Sequence, residues 1–250
     1  MNNINTMVIA VGGKGKRISV NLKKEGFTTS KIFFKINGKS ILSHLIDMSL
    51  ALKFQHIFLL SSYYETDLRL FLKENYPNNK HIIPIYGGQK GKKLGVPWLL
   101  YSIKNRLHKP FIYSDGNILY KSSIIQKIRK NDLGPTLINL VLSIKDYAPT
   151  HSRIVRCNKN ICEISVRLPL FNDKQKKIFK EKQYYYSLGL MVLSGSIFSS
   201  LPHFAYRKDL DCIVSDVFKS NKTLVRGTIY QGKWIALHTI QDINKLIKKD

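Results

Sequence analysis

The sequence predicts an α/β fold with a doubly wound, mostly parallel central sheet and a small antiparallel β element in its second half. Three observations support this prediction. Apolar runs of strand length alternate with stretches of helical spacing in the first half of the chain, which is typical of parallel α/β sheets. The first apolar run ends in a glycine cluster, as a buried strand that leads into a loop does. Later residues alternate around a turn, which indicates a hairpin.

Five apolar runs have the length and composition of buried strands. They cover residues 6–11, 56–60, 81–85, 110–113 and 137–142. Apolar side chains with helical spacing occupy 40–52, 65–75 and 96–107. Each helical stretch lies between two of the strands, which is the order that a doubly wound sheet requires.

The second half of the chain has a different pattern. Residues 153–156 and 161–168 alternate around a turn at 158–160, which predicts a hairpin beside the main sheet. A lysine-rich connection at 174–182 leads to a strand at 185–193, and a short helix begins in 194–198. No stretch has the composition of a linker, so residues 1–250 are predicted to form a single domain.

The chain is strongly basic, since 41 Lys and Arg against 16 Asp and Glu give a net charge of +25. This charge favours anionic partners such as nucleotides, nucleic acid or lipid. The lysines are dispersed and no nucleic-acid-binding motif is present, so we expect no specific nucleic-acid partner. A lysine-rich proteome would give the same charge.

No apolar stretch approaches the roughly 18 residues of a membrane-spanning helix, so we expect no membrane span. Residues 1–6 lack the features of a secretory signal, which predicts a cytoplasmic protein. Cys157, Cys162 and Cys212 lack the spacing of a metal cluster and are expected to be reduced thiols. Cys157 and Cys162 could face each other across the hairpin, which would permit a disulfide in an oxidising compartment.

A glycine-rich segment at residues 12–17, Gly-Gly-Lys-Gly-Lys-Arg, follows the first strand directly. Glycines at this point let the backbone turn tightly and bring N–H groups to a phosphate, and Arg17 adds a rigid fork of donors. The spacing is neither that of a P-loop nor that of a dinucleotide fingerprint. A phosphate-binding loop and a purely structural turn both remain consistent with it.

A second motif lies at residues 30–42, where Lys31 precedes an apolar strand at 32–36, a turn at Gly38 and the start of a helix. Together the two motifs resemble the opening of the sugar-1-phosphate nucleotidyltransferases, in which Gly-Gly-x-Gly-x-Arg is followed by Pro-Lys-Pro and Gly-Lys-Pro. The matching residues are Gly12, Gly13, Gly15, Arg17, Lys31, Gly38, Lys39, Ile41 and Leu42. The family's prolines are replaced by Ser30, Ile32 and Ser40.

The resemblance implies a Rossmann-like nucleotidyltransferase fold and roles for these residues. Gly12, Gly13 and Gly15 are expected to bind the triphosphate together with Arg17. Arg17 and Lys31 are expected to be catalytic, with Lys31 on the attacked phosphate, because negative charge builds up there during phosphoryl transfer. Taken without the glycine loop, Lys31 is more simply interpreted as a solvated surface lysine.

A carboxylate, Asp115, follows the apolar run at 110–113 and is expected at the carboxyl edge of the sheet, where α/β proteins bind ligands. By resemblance Asp115 is the catalytic metal ligand, with Mg²⁺ as the ion and Mn²⁺ as the alternative. Ser114 replaces the family's preceding glycine. An ordinary Asp-Gly turn is the other interpretation of this segment.

Weaker matches complete the expected site. By resemblance Gln89 and Gly95 contact the nucleotide, although Val96 replaces the family's threonine. Gly189 and Arg167 are expected in the same way to contact the sugar phosphate.

The C-terminal part of the chain departs most from the family. Residues 234–243 follow the family's last motif, yet Ala236 stands at a second metal-binding aspartate and His238 at a glycine. Phosphate oxygens could supply the missing ligand. His238 could also supply it, since imidazole favours softer ions such as Mn²⁺, or it could be a hydrogen-bonded structural residue.

These patterns predict an enzyme that joins a nucleoside triphosphate to a sugar 1-phosphate, or a similar phosphate, and releases pyrophosphate. The expected partners are these two small molecules. Two other functions are compatible with the sequence: a catalytically degenerate nucleotide-binding or partner-binding member of the same fold, and a basic nucleic-acid-binding protein.

Overall fold

The computed structural model describes residues 4–11, 30–36, 38–87, 95–130, 133–144, 153–158, 161–165, 184–201, 203–206 and 209–237. For 153–158, 161–165 and 184 the description is of the backbone. In chain order the strands are β1 Thr6–Ala10, β2 Lys35–Ile36, β3 Lys39–Ser40, β4 His56–Ser61, β5 Ile82–Tyr86, β6 Phe111–Asp115, β7 Ile118–Tyr120, β8 Ile138–Ser143, β9 Arg153–Asn158, β10 Ile161–Ser165, β11 Tyr184–Leu193, β12 Val225–Tyr230 and β13 Trp234–Ala236. The α-helices are α1 Ile41–Ala51, α2 Glu65–Asn75, α3 Val96–Ser102, α4 Ser122–Arg129, α5 Ile197–Ser200 and α6 Leu210–Ser220.

In the described part of the chain, the main sheet has nine strands of mixed direction. β1 is parallel to β4 and β6, β4 is parallel to β5, and β8 is parallel to β12. β11 is antiparallel to β6, β8 and β9, and β10 is antiparallel to β9. Within the described sheet, β10 and β11 therefore run antiparallel to all the other strands, which share one direction. The predicted α/β architecture, with a mostly parallel sheet and a small antiparallel element, is confirmed.

Apolar clusters cover both faces of the sheet, as the predicted doubly wound arrangement requires. The first cluster joins the sheet to α1 and α4, and the second joins it to α3 and α6. β1 contributes Met7 and Ile9 to the first cluster and Val8 to the second, because successive strand residues point to opposite faces.

The long strand β11 changes partners along its length. Residues 190–193 pair with β6, whereas residues 184–187 pair with β9. The register with β8 shifts between Ser187 and Met191, and Gly189 within the shift has a φ of +71°. A glycine with left-handed backbone geometry is what such a bulge needs, because other residues adopt it at a cost.

Several local predictions differ from the structure. The segment 32–36 is not one strand: Lys31–Phe33 is a 3-10 turn, and only Lys35–Ile36 pairs, with Lys39–Ser40. The turn forms because Phe33 N–H and Phe34 N–H bond locally to the carbonyls of residues 30 and 31. The helix expected over 96–107 ends at Ser102 and continues as a 3-10 turn at Lys104–Arg106.

The sequence interpretation also missed two helices, α4 and α6. Both are amphipathic and place apolar residues in the core, with Ile124 and Ile128 in α4 and Ile213 and Val217 in α6. The expected hairpin is present as β9 and β10, and its register places Cys157 opposite Cys162. In the part of the chain that the structure describes, no helix combines the length and hydrophobicity needed to cross a bilayer.

Candidate active site

The candidate site begins where β1 and β6 end together at the carboxyl edge of the sheet. Ala10 is the register partner of Asp115, and Gly116 N–H donates to Ala10 O at 2.9 Å. Val11 N–H donates to Leu60 O at 2.9 Å, which fixes the chain just before Gly12. The strand that precedes the predicted glycine loop therefore ends beside Asp115. Gly12, Gly13, Gly15 and Arg17 themselves lie outside the described residues.

The carboxylate of Asp115 is half-buried and held by its neighbours on β6. Tyr113 OH donates a hydrogen bond to Asp115 Oδ1 at 2.8 Å. Ser114 Oγ donates to the main-chain oxygen of Asp115 at 3.1 Å. These contacts go beyond those of a simple Asp-Gly turn, since they fix both the side chain and the peptide group of Asp115.

A second tyrosine, Tyr120, supports this arrangement from β7. Its hydroxyl donates to Ser114 Oγ at 2.9 Å. Burial raises the pKa of Tyr120, and the nearby charge of Asp115 also raises it, while the hydrogen bond to Ser114 lowers it. The hydroxyl therefore keeps its proton and remains a donor at neutral pH.

The predicted substrate residue Gly189 lies against Asp115. A β-carbon built at Gly189 would stand 2.4 Å from Asp115 Oδ2 and 2.8 Å from Ile118 Cδ1. No side chain fits at this distance, so the glycine leaves the space that the carboxylate occupies. The expected contact of Gly189 with a sugar phosphate stays a prediction.

The predicted catalytic residue Lys31 is held at the same end of the molecule. Its Nζ donates to Leu237 O at 3.1 Å, and Asn117 Nδ2 donates to the same oxygen at 3.1 Å. Leu237 N–H in turn donates to Asn117 O at 2.9 Å. Lys31 is thus half-buried and bound to the residue that follows β13, so its side chain is not freely solvated. Its catalytic role stays a prediction.

The C-terminal strand β13 brings Ala236 to this region. Ala236 pairs with Ile118, in the short sheet formed by β13 and β7, and it is buried. A methyl group at this position supplies no metal ligand. His238 lies outside the described residues.

The carboxylate of Asp115 suits a hard divalent cation whose coordination shell is completed by other oxygen atoms. Among the described residues, no three His, Cys, Asp or Glu side chains gather into a group able to hold a metal ion. A single carboxylate suits Mg²⁺, which is usually bound by one or two carboxylates together with substrate phosphates and water. Asp115 is thus a carboxylate of the kind that such a site uses.

Of the remaining predicted residues, Gly95 is among those that the structure describes. Gly95 stands at the start of α3, where its carbonyl accepts a hydrogen bond from Leu99 N–H at 3.2 Å. Gln89 and Arg167 lie outside the described residues. The sequence interpretation had not singled out Tyr113 or Asn117. The two-residue period of a strand places Tyr113 on the same face as Asp115, which is a signal that could have identified it.

Solved structures with a similar fold include a CTP transferase and a putative thymidylyltransferase. The inositol-1-phosphate CTP transferase from T. maritima has a TM-score of 0.75 and 17% identity, over 99% of this chain and 96% of that chain. A putative glucose-1-phosphate thymidylyltransferase from Bacillus anthracis, in complex with a sucrose, has a TM-score of 0.71 and 12% identity, over 97% and 94%. HddC from Yersinia pseudotuberculosis has a TM-score of 0.68 and 19% identity, over 98% and 99%.

These likenesses span nearly the whole length of both partners and confirm the nucleotidyltransferase fold that the resemblance implied. No family model and no curated protein sequence matches the chain.

Proposed function

We propose that the chain is a nucleotidyltransferase of the sugar-1-phosphate type, which joins a nucleoside triphosphate to a sugar 1-phosphate, or a similar phosphate, and releases pyrophosphate. The observation that carries the proposal is that Asp115 lies against Gly189 at the carboxyl edge of the sheet. Asn117, two residues further along the chain, shares the Leu237 carbonyl with Lys31. These residues come from distant parts of the sequence. They include two of the three catalytic positions that the resemblance predicted.

In the proposed reaction an oxygen of the acceptor phosphate attacks the α-phosphorus of the triphosphate. The bond from the α-phosphorus to the bridging oxygen breaks, and pyrophosphate leaves with that electron pair. The acceptor is already an anion, so the reaction needs no general base. The protein instead supplies positioning and positive charge.

The residues of the chain divide this work. Lys31 and Arg17 supply cationic donors for the phosphates, and the loop of Gly12, Gly13 and Gly15 supplies N–H groups. Asp115 would hold Mg²⁺, which neutralises charge on the triphosphate when it is bound. Gln89 and Gly95 are proposed on the nucleotide side of the site.

The names of the similar solved structures support the proposed substrate class. One is a CTP transferase for inositol 1-phosphate, one is a putative thymidylyltransferase for glucose 1-phosphate, and HddC has also been solved in complex with GMP-PN. The names of the first two give the acceptor as a phosphate on a cyclic polyol or a sugar. We propose the same chemical class for the acceptor of this chain, with Gly189 and Arg167 on the acceptor side.

A catalytically degenerate binding protein is the second candidate, and Ala236 favours it. The buried methyl group of Ala236 stands where the family has a second metal-binding aspartate. In this alternative the chain binds a nucleotide without turnover.

The test is pyrophosphate release from each of the four nucleoside triphosphates with a panel of sugar 1-phosphates and inositol 1-phosphate. We expect release with at least one pair, and loss of release in Asp115→Asn. The matched control is Asp67→Asn, which removes a carboxylate from the first turn of α2. Nucleotide binding by calorimetry without any pyrophosphate release supports the degenerate alternative. If the protein shows no nucleotide binding and no pyrophosphate release, both candidates are contradicted.

A further inference from the structure

A tyrosine hydroxyl buried beneath the candidate site contacts the carboxylate that we propose as the metal ligand. Tyr113 is only 3% exposed and belongs to the apolar cluster on the α3 and α6 face of the sheet. Its hydroxyl donates to Asp115 Oδ1 at 2.8 Å. Because the ring is shielded from solvent and the hydroxyl contacts Asp115, Tyr113 can act on a bound ligand through Asp115.

The surrounding strands hold both residues in place. On β6, Tyr113 pairs with Val8 of β1 and Met191 of β11, and Asp115 pairs with Ala10. The peptide group of Asp115 is also held by Ser114 Oγ. With the backbone fixed, the direction of the carboxylate depends on rotation of the Asp115 side chain, and the Tyr113 hydroxyl restricts that rotation.

The two carboxylate oxygens consequently have different surroundings. Oδ1 accepts the Tyr113 hydrogen bond, whereas Oδ2 points toward Gly189, where a β-carbon would stand only 2.4 Å away. The hydrogen bond on Oδ1 thus selects one orientation of the carboxylate. An ion that demands near-ideal octahedral geometry is sensitive to that orientation.

We infer that Tyr113 is a positioning residue for the divalent cation, because its hydroxyl fixes the Asp115 carboxylate in the orientation that binds the ion. The inference rests on the proposed function. Ala236 makes the role of Tyr113 more important, since no second carboxylate from β13 compensates for a misoriented Asp115. Hydrogen-bond partners of metal ligands typically change metal affinity by about 10-fold to 100-fold when removed.

The experiment measures the binding of Mn²⁺ to the full chain. Mn²⁺ is titrated in the presence of each of the four α,β-methylene nucleoside triphosphates, and bound ion is determined from the loss of the free Mn²⁺ EPR signal. We expect Tyr113→Phe to weaken Mn²⁺ binding about tenfold or more and to change the EPR spectrum of the bound ion. Asp115→Asn is expected to lose the specific binding.

The chain offers a matched control in a second tyrosine–aspartate pair. Tyr76 OH donates to Asp47 Oδ1 at 2.7 Å, between α2 and α1. Tyr76→Phe therefore removes a hydrogen bond of the same kind and similar length, and we expect Mn²⁺ affinity to stay within about threefold of wild type. Melting temperatures of both variants show whether a change in affinity reflects general loss of stability. If Tyr113→Phe does not fold, Tyr113→Met is judged by the same criterion.

The outcomes separate the inference from the function on which it rests. Wild-type affinity and an unchanged bound-ion spectrum in Tyr113→Phe, with binding lost in Asp115→Asn, overturn the inference and leave the proposed function standing. Binding that does not depend on Asp115, or no binding by the wild type, overturns the proposed metal site and the inference together. Equal weakening in Tyr113→Phe and Tyr76→Phe also overturns the inference.

Discussion

Gly189 leaves room for the carboxylate of Asp115, since a β-carbon at residue 189 would stand 2.4 Å from Asp115 Oδ2. The two residues belong to adjacent antiparallel strands, in which Leu190 pairs with Ser114. The left-handed backbone at Gly189, with φ of +71°, belongs to the bulge that separates the two halves of β11. Gly189 therefore serves both the bulge in β11 and the space that the Asp115 carboxylate occupies.

Replacement of Gly189 by alanine is expected to displace the Asp115 side chain. We predict that Gly189→Ala lowers kcat/KM by about two orders of magnitude, because small misplacements of catalytic groups have effects of this size. The control is Gly134→Ala, where φ is +53° and no atom of the described residues lies within 4 Å of the added carbon. Both variants carry the backbone strain of about 1–2 kcal/mol. Equal activity in the two variants would show that the contact with Asp115 is unimportant.

Replacement of Lys31 by alanine is expected to affect turnover far more than stability. Asn117 still donates to Leu237 O when Lys31 is absent, so this carbonyl keeps a partner. We predict a fall in turnover of about two orders of magnitude or more, with a melting temperature within a few degrees of wild type. Lys35→Ala, at an exposed lysine of the same segment, is the control. Unaltered turnover of an active protein would remove Lys31 from the site.

The meeting of the ends of β1 and β6 could be predicted from the sequence because parallel strands end at a common edge. The apolar runs before Gly12 and Asp115 place both segments there, and β1 and β6 are indeed neighbours. The contact between Gly189 and Asp115 could not be predicted in the same way. It depends on which strand lies beside β6, and local patterns carry no information on pairing between distant segments.

The hydrogen bonds of Lys31 and Tyr113 were also beyond the sequence prediction. Lys31 and Leu237 are separated by 206 residues, and no periodicity connects them. Tyr113 resembles any aromatic residue of a buried strand, and only its position two residues before Asp115 distinguishes it. The helices α4 and α6 were missed because their core positions are occupied largely by β-branched Ile and Val, which favour strands.

Replacement of Gly13 by valine tests whether the loop after β1 binds phosphate. A branched side chain would occupy space that a phosphate or a positive φ requires. We therefore predict that Gly13→Val abolishes binding of the triphosphate, measured by calorimetry, in a protein that remains folded. Wild-type affinity in this variant would mean that the loop is only a turn.

Introduction of an aspartate at residue 236 tests the departure from the family at the metal site. Asp115→Asn is expected to weaken metal binding and raise the Mg²⁺ concentration at half-maximal rate. Ala236→Asp should do the opposite, because two carboxylates hold Mg²⁺ with less help from phosphate oxygens. The new carboxylate is buried, since Ala236 is 2% exposed, so we also expect a lower melting temperature without metal and its recovery when Mg²⁺ is added.

The measurement is activity against Mg²⁺ and Mn²⁺ for the wild type and both variants. Mn²⁺ is included because an imidazole at His238 would favour it over Mg²⁺. If all three proteins respond alike to both ions, the metal is not bound at Asp115. If the wild type is silent with every triphosphate and Ala236→Asp restores turnover, the chain is a degenerate enzyme whose loss of activity follows from a single missing carboxylate.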